Sequence, residues 1–168
     1  SQSEVHSMRD RPMPIDAYSL CPCGTGKKVK FCCPDLLKEL EKIDRMLEGE
    51  QYAAASAHVS QLLEEHPDRA SLLAIQGMVL RMLNRYHEAD ENAKRFALAH
   101  PENTSAQAEK AICEAIQGGS AKEALMTLQT ALELAADGIP GRVFEAMNYV
   151  AQALLTEGEW LSARALFH

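Results

Sequence analysis

The sequence contains no run of about 18 uninterrupted apolar residues, the length that a membrane-spanning helix requires. Its first residues also lack the basic and then apolar pattern of a secretion signal. These two absences favour a cytoplasmic protein without a membrane span. No glycine-rich phosphate loop, nucleophile elbow or paired-carboxylate motif occurs either, so we expect this segment not to be an enzyme.

Aromatic residues are scarce, at 5% of the 168 residues, although hydrophobic residues make up 46%. Alanine, leucine and glutamate are abundant, and such a composition indicates a helical protein. The net charge of −7 is uneven, because residues 1–34 hold five basic and three acidic side chains while the rest hold 12 basic and 21 acidic ones. This acidic body argues against nucleic acid as the main partner.

Four of the five cysteines lie within thirteen residues, in the stretch CPCGTGKKVKFCC. Zinc prefers four thiolates at tetrahedral corners, and two close cysteine pairs around a tight loop can supply them. Gly24 and Gly26 permit the positive φ angles that such a loop needs. Disulfides, free thiols or an iron–sulfur cluster are the alternatives, but a cluster without a secretion signal favours metal. We predict one structural Zn²⁺ bound by Cys21, Cys23, Cys32 and Cys33.

The same stretch resembles the SEC-C zinc motif, whose pattern is C-P-C-G-S-G-K-K-[YF]-K-x-C-[CH]. The four cysteines match its ligand positions, and Thr25 replaces the usual serine. Val29 stands where an aromatic residue is usual, while Phe31 supplies an aromatic ring two residues later. The resemblance covers residues 20–34, and the motif is found at the tail of the SecA translocase motor and in many small bacterial proteins.

This resemblance implies a folding and docking module without catalysis. SecA-type members use the motif to contact the chaperone SecB and the ribosome, so the implied partner is a chaperone, the ribosome or a secretion component. Lys27, Lys28, Lys30 and Phe31 then form a docking patch; alternatively, the lysines are a solvated rim that balances the charge of the thiolates. Binding of RNA or the ribosome through this basic loop is a further alternative.

From residue 35 onward the apolar pattern is helical and repeats about every 34 residues. The pairs with this spacing are Tyr52 and Tyr86, Ala55 and Ala89, and Pro67 and Pro101. A two-helix unit of this length resembles the tetratricopeptide repeat (TPR). We predict an all-α, TPR-like solenoid of about three and a half repeats, preceded by a flexible arm over residues 1–19 and a zinc knuckle over residues 20–34. The repeats span about 36–69, 70–103, 104–140 and 143–168.

The fourth repeat is incomplete, and no polar capping helix of the kind that repeat arrays require follows it. We therefore expect a fragment of a longer protein, or self-association through the uncapped helix. The same ending motivates the alternative that the chain is an N-terminal regulatory or targeting segment of a longer enzyme. Because the knuckle and the repeats read as two modules, Cys21→Ser is expected to melt residues 20–34 and leave the repeats helical.

In TPR arrays the first helices line a concave groove that binds peptides or proteins. From the repeat register we predict partner contacts by Met78, Arg81, Met82, Lys110, Asn148 and Tyr149. The same register places further residues on this face: Leu37, Asp44, Ala74, Glu109, Cys113, Gln117 and Gln152. Methionine at helical spacing is more often a core residue, and Cys113 is interpreted as a buried thiol. The leading function is a non-catalytic adaptor or scaffold without the Lys/Asn/Asn/Lys/Arg set of the carboxylate-clamp subtype.

Overall fold

The computed structural model describes residues 14–135, 138–158 and 166 of the chain. Over these residues it contains eight α-helices and no β-strand, so the predicted all-α class is confirmed. The helices are α1 (Val29–Cys32), α2 (Leu37–Glu48), α3 (Tyr52–Glu65), α4 (Ala70–Met82), α5 (Tyr86–Ala99), α6 (Thr104–Ile116), α7 (Ala121–Leu134) and α8 (Gly141–Thr156). The predicted uncapped helix at the end of the fourth repeat lies outside the described residues.

The turn inside each helix pair contains a residue in the left-handed backbone region. Glu50, Asn84 and Gly118 have φ angles of 55°, 56° and 70°, and they follow one another at the 34-residue spacing of the sequence. In the first two turns, the next N–H donates to the carbonyl five residues earlier, which is the closure of a Schellman motif. These bonds run from Gln51 N to Met46 O (2.8 Å) and from Arg85 N to Leu80 O (2.9 Å). The 34-residue period of the sequence therefore corresponds to a 34-residue spacing of residues with positive φ.

Replacing Glu50 by glycine should raise the free energy of unfolding by about 0.5–1 kcal/mol, because glycine adopts a positive φ without the steric cost of a Cβ atom. Equilibrium urea unfolding measures this change. The matched control is Lys42→Gly at an exposed position inside α2, which should lower the free energy of unfolding by about 1 kcal/mol. Equal losses in the two variants would contradict the proposed strain at Glu50.

The helices pack in chain order and form two layers. Helix α3 packs on α4, α5 packs on both α4 and α6, and α7 packs on both α6 and α8. Helix α4 also contacts α6 directly, and α6 contacts α8. The first helices of successive pairs therefore form an inner layer, and α3, α5 and α7 form an outer layer. No helix among the described residues is both long enough and apolar enough to cross a membrane.

The core is built mostly from aliphatic and small side chains. One cluster of buried residues extends from the cysteine stretch through α2 and α3 to α4, and it also includes Phe96 and Ala106. A second cluster joins α6, α7 and α8. Because Cys21, Cys23 and Cys33 belong to the first cluster, the cysteine stretch and the first helices share one core.

Candidate metal centre and inner face

The cysteine stretch folds as a tight knuckle over residues 14–33. An isolated antiparallel bridge joins Leu20 to Lys28. The turn between them contains Gly24 and Gly26, whose φ angles of 80° and 74° disfavour any residue with a Cβ atom. This turn lays the first cysteine pair beside α1, where the second pair lies.

Residues 14–19, which are part of the predicted flexible arm, are hydrogen-bonded to the knuckle. Val29 N donates to Ser19 O at 2.9 Å, and Lys30 N donates to Ala17 O at 3.1 Å. Ile15 packs against the first core cluster. The knuckle therefore begins before residue 20, and the rest of the predicted arm, residues 1–13, lies outside the described residues.

The four sulfur atoms of the knuckle lie close together. The Sγ–Sγ distances are 3.2 Å between Cys23 and Cys32, 3.5 Å between Cys21 and Cys33, and 3.9 Å between Cys32 and Cys33. The Sγ atoms of Cys21, Cys32 and Cys33 all lie within 4.8 Å of one another, and Cys23 joins them through Cys32. A tetrahedron with Zn–S bonds of about 2.3 Å has edges of about 3.8 Å. The thiol separations are close to these edges and therefore fit a thiophilic metal.

Hydrogen bonds and burial shift the pKa values of the cysteines in this cluster in opposite directions. The hydrogen bond with Cys21 lowers the pKa of Cys23, and the Thr25 hydroxyl, 3.1 Å from the Cys23 sulfur, lowers it further. The same Cys21–Cys23 bond and burial raise the pKa of Cys21, and burial raises the pKa of Cys32. One thiolate is thus favoured before any metal binds, and a metal must displace the protons of the other thiols.

The knuckle packs on the N-terminal ends of α4 and α6. The Cys33 sulfur lies 3.6 Å from the hydroxyl of Ser71 in the first turn of α4. Asn103 accepts a hydrogen bond from Ala106 N as the N-cap of α6, while its Nδ2 donates to Cys23 O at 2.7 Å. Because the N-terminus of a helix carries a partial positive charge, the end of α4 beside Cys33 favours negative charge on that sulfur.

A close approach at Gly24 and an ion pair next to the knuckle also join this region to the repeats. A Cβ atom at Gly24 would lie 2.1 Å from the Ser105 hydroxyl, so a residue without a side chain is required where the turn meets α6. Just after the knuckle, the two terminal guanidinium nitrogens of Arg69 donate to the Asp35 carboxylate, at 2.8 and 2.9 Å. This bond and the nearby Cys33 raise the pKa of Arg69, which keeps a positive charge beside the sulfurs.

The residues of the predicted docking patch lie on the outside of the knuckle. Lys27 and Lys28 are exposed, and Phe31 is 71% exposed. The Lys30 Nζ lies 4.7 Å from the ring centroid of Phe31 and 4.3 Å from that of Tyr18. Tyr18 belongs to no sequence motif; its contacts with Lys30 and with Lys28, whose Nζ lies 5.9 Å from the ring centroid, place it in this patch. We refer to Tyr18, Lys27, Lys28, Lys30 and Phe31 as the basic–aromatic patch.

Arg81, predicted to contact a partner, is buried in an ion-pair cluster on the inner layer. Its guanidinium donates to both carboxylate oxygens of Glu109, at 2.9 and 3.3 Å, and to Glu145 at 2.6 Å. It also lies 5.8 Å from the ring centroid of Tyr149. The donors of Arg81 are directed to acidic groups of neighbouring helices and its side chain is 5% exposed, while its contact with a partner stays a prediction.

The cluster links three of the inner helices, α4, α6 and α8. Arg81 comes from α4 and Glu109 from α6, while Arg142, which sequence reasoning missed, comes from α8 and donates to Glu109. Burial raises the pKa of the Glu145 carboxyl, but the hydrogen bond and charge of Arg81 outweigh burial, so the net pKa is lowered. A Cβ atom at Gly77 would lie 2.7 Å from Glu109 Oε1, so the close approach of α4 and α6 requires glycine there.

The other residues predicted on the inner face differ in exposure. Burial raises the pKa of Cys113 to about 12, which keeps this thiol protonated and unreactive near neutral pH. Exposed residues of the set are Met82, Gln117, Asn148 and Gln152; half-buried ones are Leu37, Met78, Lys110 and Tyr149; buried ones are Asp44, Ala74, Glu109 and Cys113.

Comparison with known proteins supports the fold. No protein-family model matches the chain, and no curated protein matches it. It does match the solved structure "MamA MSR-1 C2", of a TPR-containing protein, with a TM-score of 0.58 and 16% identity, over 76% of this chain and 70% of that one. This likeness concerns the fold alone, and it confirms the predicted TPR-like helical solenoid. The SEC-C resemblance stays a prediction.

Proposed function

We propose that this chain is a non-catalytic interaction scaffold, in which a metal-bound knuckle and a TPR-like inner face bind protein partners. The observation that carries the proposal is the packing of the knuckle on the ends of α4 and α6. A metal bound there would hold the basic–aromatic patch in a fixed position relative to the repeats. Such a surface needs no reactive group.

The proposed metal is one Zn²⁺ ion held by Cys21, Cys23, Cys32 and Cys33. The donor set fits, because the sulfurs are closely spaced and the N-terminal end of α4 and Arg69 offset their negative charge. When bound, four thiolates complete the coordination of zinc and leave no position for a substrate, so the role is structural. All five cysteines are free thiols, which suits a reducing compartment such as the cytoplasm.

The partner of the basic–aromatic patch is proposed to be a protein with an acidic surface. Positive lysines beside exposed aromatic rings attract carboxylates and offer apolar area at the same place. By the SEC-C resemblance, a chaperone, the ribosome or a secretion component fits this description. On the inner face, Met82, Asn148 and Gln152 remain exposed for a second contact.

The double variant Lys28→Glu/Lys30→Glu should weaken capture of purified SecB or purified ribosomes by about tenfold, since each reversed charge replaces an attraction by a repulsion. Pull-down with the full chain measures the captured fraction. Lys38→Glu/Lys42→Glu reverses two exposed charges on α2 and is the matched control. If neither probe is captured, or if both variants behave alike, docking through the patch is wrong.

RNA is the second candidate ligand of the same patch, because lysines interleaved with exposed rings can bind phosphates and stack bases. Retention of free RNA that is lost at high salt, together with loss of ribosome capture after nuclease treatment, would favour this candidate. That the chain is a regulatory segment of a longer enzyme stays a prediction.

A further inference from the structure

A polar cleft lies in the outer layer, where α3 and α5 flank α4. Its volume is about 450 Å³. Gln76 of α4 and Asn92 of α5 line it and are 6% and 9% exposed. The carboxylates of Glu64 and Glu91 stand at its exposed rim. The cleft shares no lining residue with the knuckle or with the ion-pair cluster.

The buried amide of Gln76 is only half satisfied. Its Nε2 donates to Ser60 Oγ at 2.8 Å and to Ser56 O at 3.3 Å. Its Oε1 is buried and has no hydrogen-bond partner, the one such side-chain atom in the part of the chain that the structure describes. Turning the amide over would set Oε1 against the carbonyl oxygen of Ser56, so the acceptor is held on the unpaired side. An unpaired buried acceptor is unfavourable, and a donor in the cleft would relieve it.

The rim of the cleft carries unneutralised negative charge. The Glu64 side chain has no ion pair or hydrogen bond within the described residues. Glu91 lies 3.5 Å from the exposed ring of His87, and its charge also acts on Lys94, whose ammonium group pairs with Asp90. The other charges at the rim are paired: Glu88 with Arg85, and Arg95 with Asp68.

We propose that this cleft binds the ammonium group of a lysine side chain presented by a partner protein. An ammonium group has three donors and no acceptor, so it can satisfy Gln76 Oε1 and a rim carboxylate at once. Leu63 and Leu80 line the same cleft and offer apolar contact for the methylene stem. A guanidinium group is less suited, because one amide oxygen does not match its planar fork of donors.

An NMR titration of the full chain with Nα-acetyl-lysine methylamide tests the proposal. The side-chain amide signals of Gln76 and Asn92 should shift and saturate. The probe with an acetylated Nζ has a similar stem without the charge, and we expect it to bind at least about tenfold more weakly. No saturable shift, or equal binding of the two probes, would overturn the proposal and leave a bridging water as the occupant of the cleft.

Variants at the rim test the charge without disturbing the buried amide. Glu64→Gln/Glu91→Gln changes two exposed side chains and should weaken the lysine probe by about tenfold. Glu102→Gln/Glu133→Gln removes the same charge at exposed positions elsewhere and should leave binding unchanged. Equal binding by both double variants would refute the role of the rim. Spermidine is the competing probe, and tighter binding by spermidine than by the lysine probe would assign the cleft to a small polyamine instead.

Discussion

Stripping the proposed metal with a chelator should destabilise the first repeats together with the knuckle. Cys21 and Cys33 share a core cluster with Leu36 and Leu40 of the following helical segment, so loss of the knuckle exposes part of that core. Structural zinc in small peptides contributes about 10–16 kcal/mol of binding free energy, and a loss of several kcal/mol is expected to reach α2–α4. Hydrogen exchange resolved by residue measures the change, and metal analysis gives the stoichiometry.

Cysteine variants locate the same effect. Cys33→Ser should abolish metal binding and lower the protection of α2–α4. Cys113→Ala should keep one metal per chain, because Cys113 is buried in α6 and belongs to a different core cluster from the other cysteines. This expectation differs from the two-module interpretation of the sequence, which predicts loss of residues 20–34 alone. Retained protection of α2–α4 after chelation would restore that interpretation and contradict the shared core.

The second large effect is expected at Glu109. Glu109→Gln should lower the free energy of unfolding by about 3–5 kcal/mol, because it leaves the buried guanidinium of Arg81 and that of Arg142 without their shared counter-charge. Urea unfolding measures the loss. The cost arises because Arg81 and Arg142 then share the single carboxylate of Glu145, so it should greatly exceed that of a surface substitution.

Two variants separate this cause from general damage to α6. Glu114→Gln, on the same helix, keeps an acceptor for the Thr127 hydroxyl and should cost less than about 1 kcal/mol. Arg81→Met/Glu109→Leu removes a charge of each sign and leaves Arg142 beside Glu145, so it should recover more than half of the lost stability. Equal losses in Glu109→Gln and the double variant would show that packing at this position, rather than charge, governs stability.

The sequence predicts the local features of this fold well, since they depend on neighbouring residues. The 34-residue period marks the helix pairs, and the cysteine spacing marks the knuckle. The sequence does not predict contacts between residues that lie far apart in the chain, such as the hydrogen bond that Asn103 donates to the carbonyl of Cys23, 80 residues away. Without knowledge of that contact, the sequence pattern indicates a knuckle that folds as a separate module.

Arg81 illustrates the same limit on the inner face. Its register places it on the groove, and an arginine there suggests a partner contact. Only the positions of Glu109 and Glu145, on two other helices, reveal that its donors are already used. Tyr18 is the opposite case, because a residue outside any motif becomes part of the basic–aromatic patch through its contact with Lys30.

Position 77 and position 109 should vary together among sequence relatives. The Glu109 carboxylate occupies the space that a side chain at position 77 would need. A relative with alanine at position 77 would need a shorter residue at position 109. Arg81 and Arg142 would then have no carboxylate at position 109 to pair with, so basic residues would no longer be favoured at positions 81 and 142. Four positions on three helices are thus expected to be inherited as one set, and an alignment in which they change independently would count against the buried network.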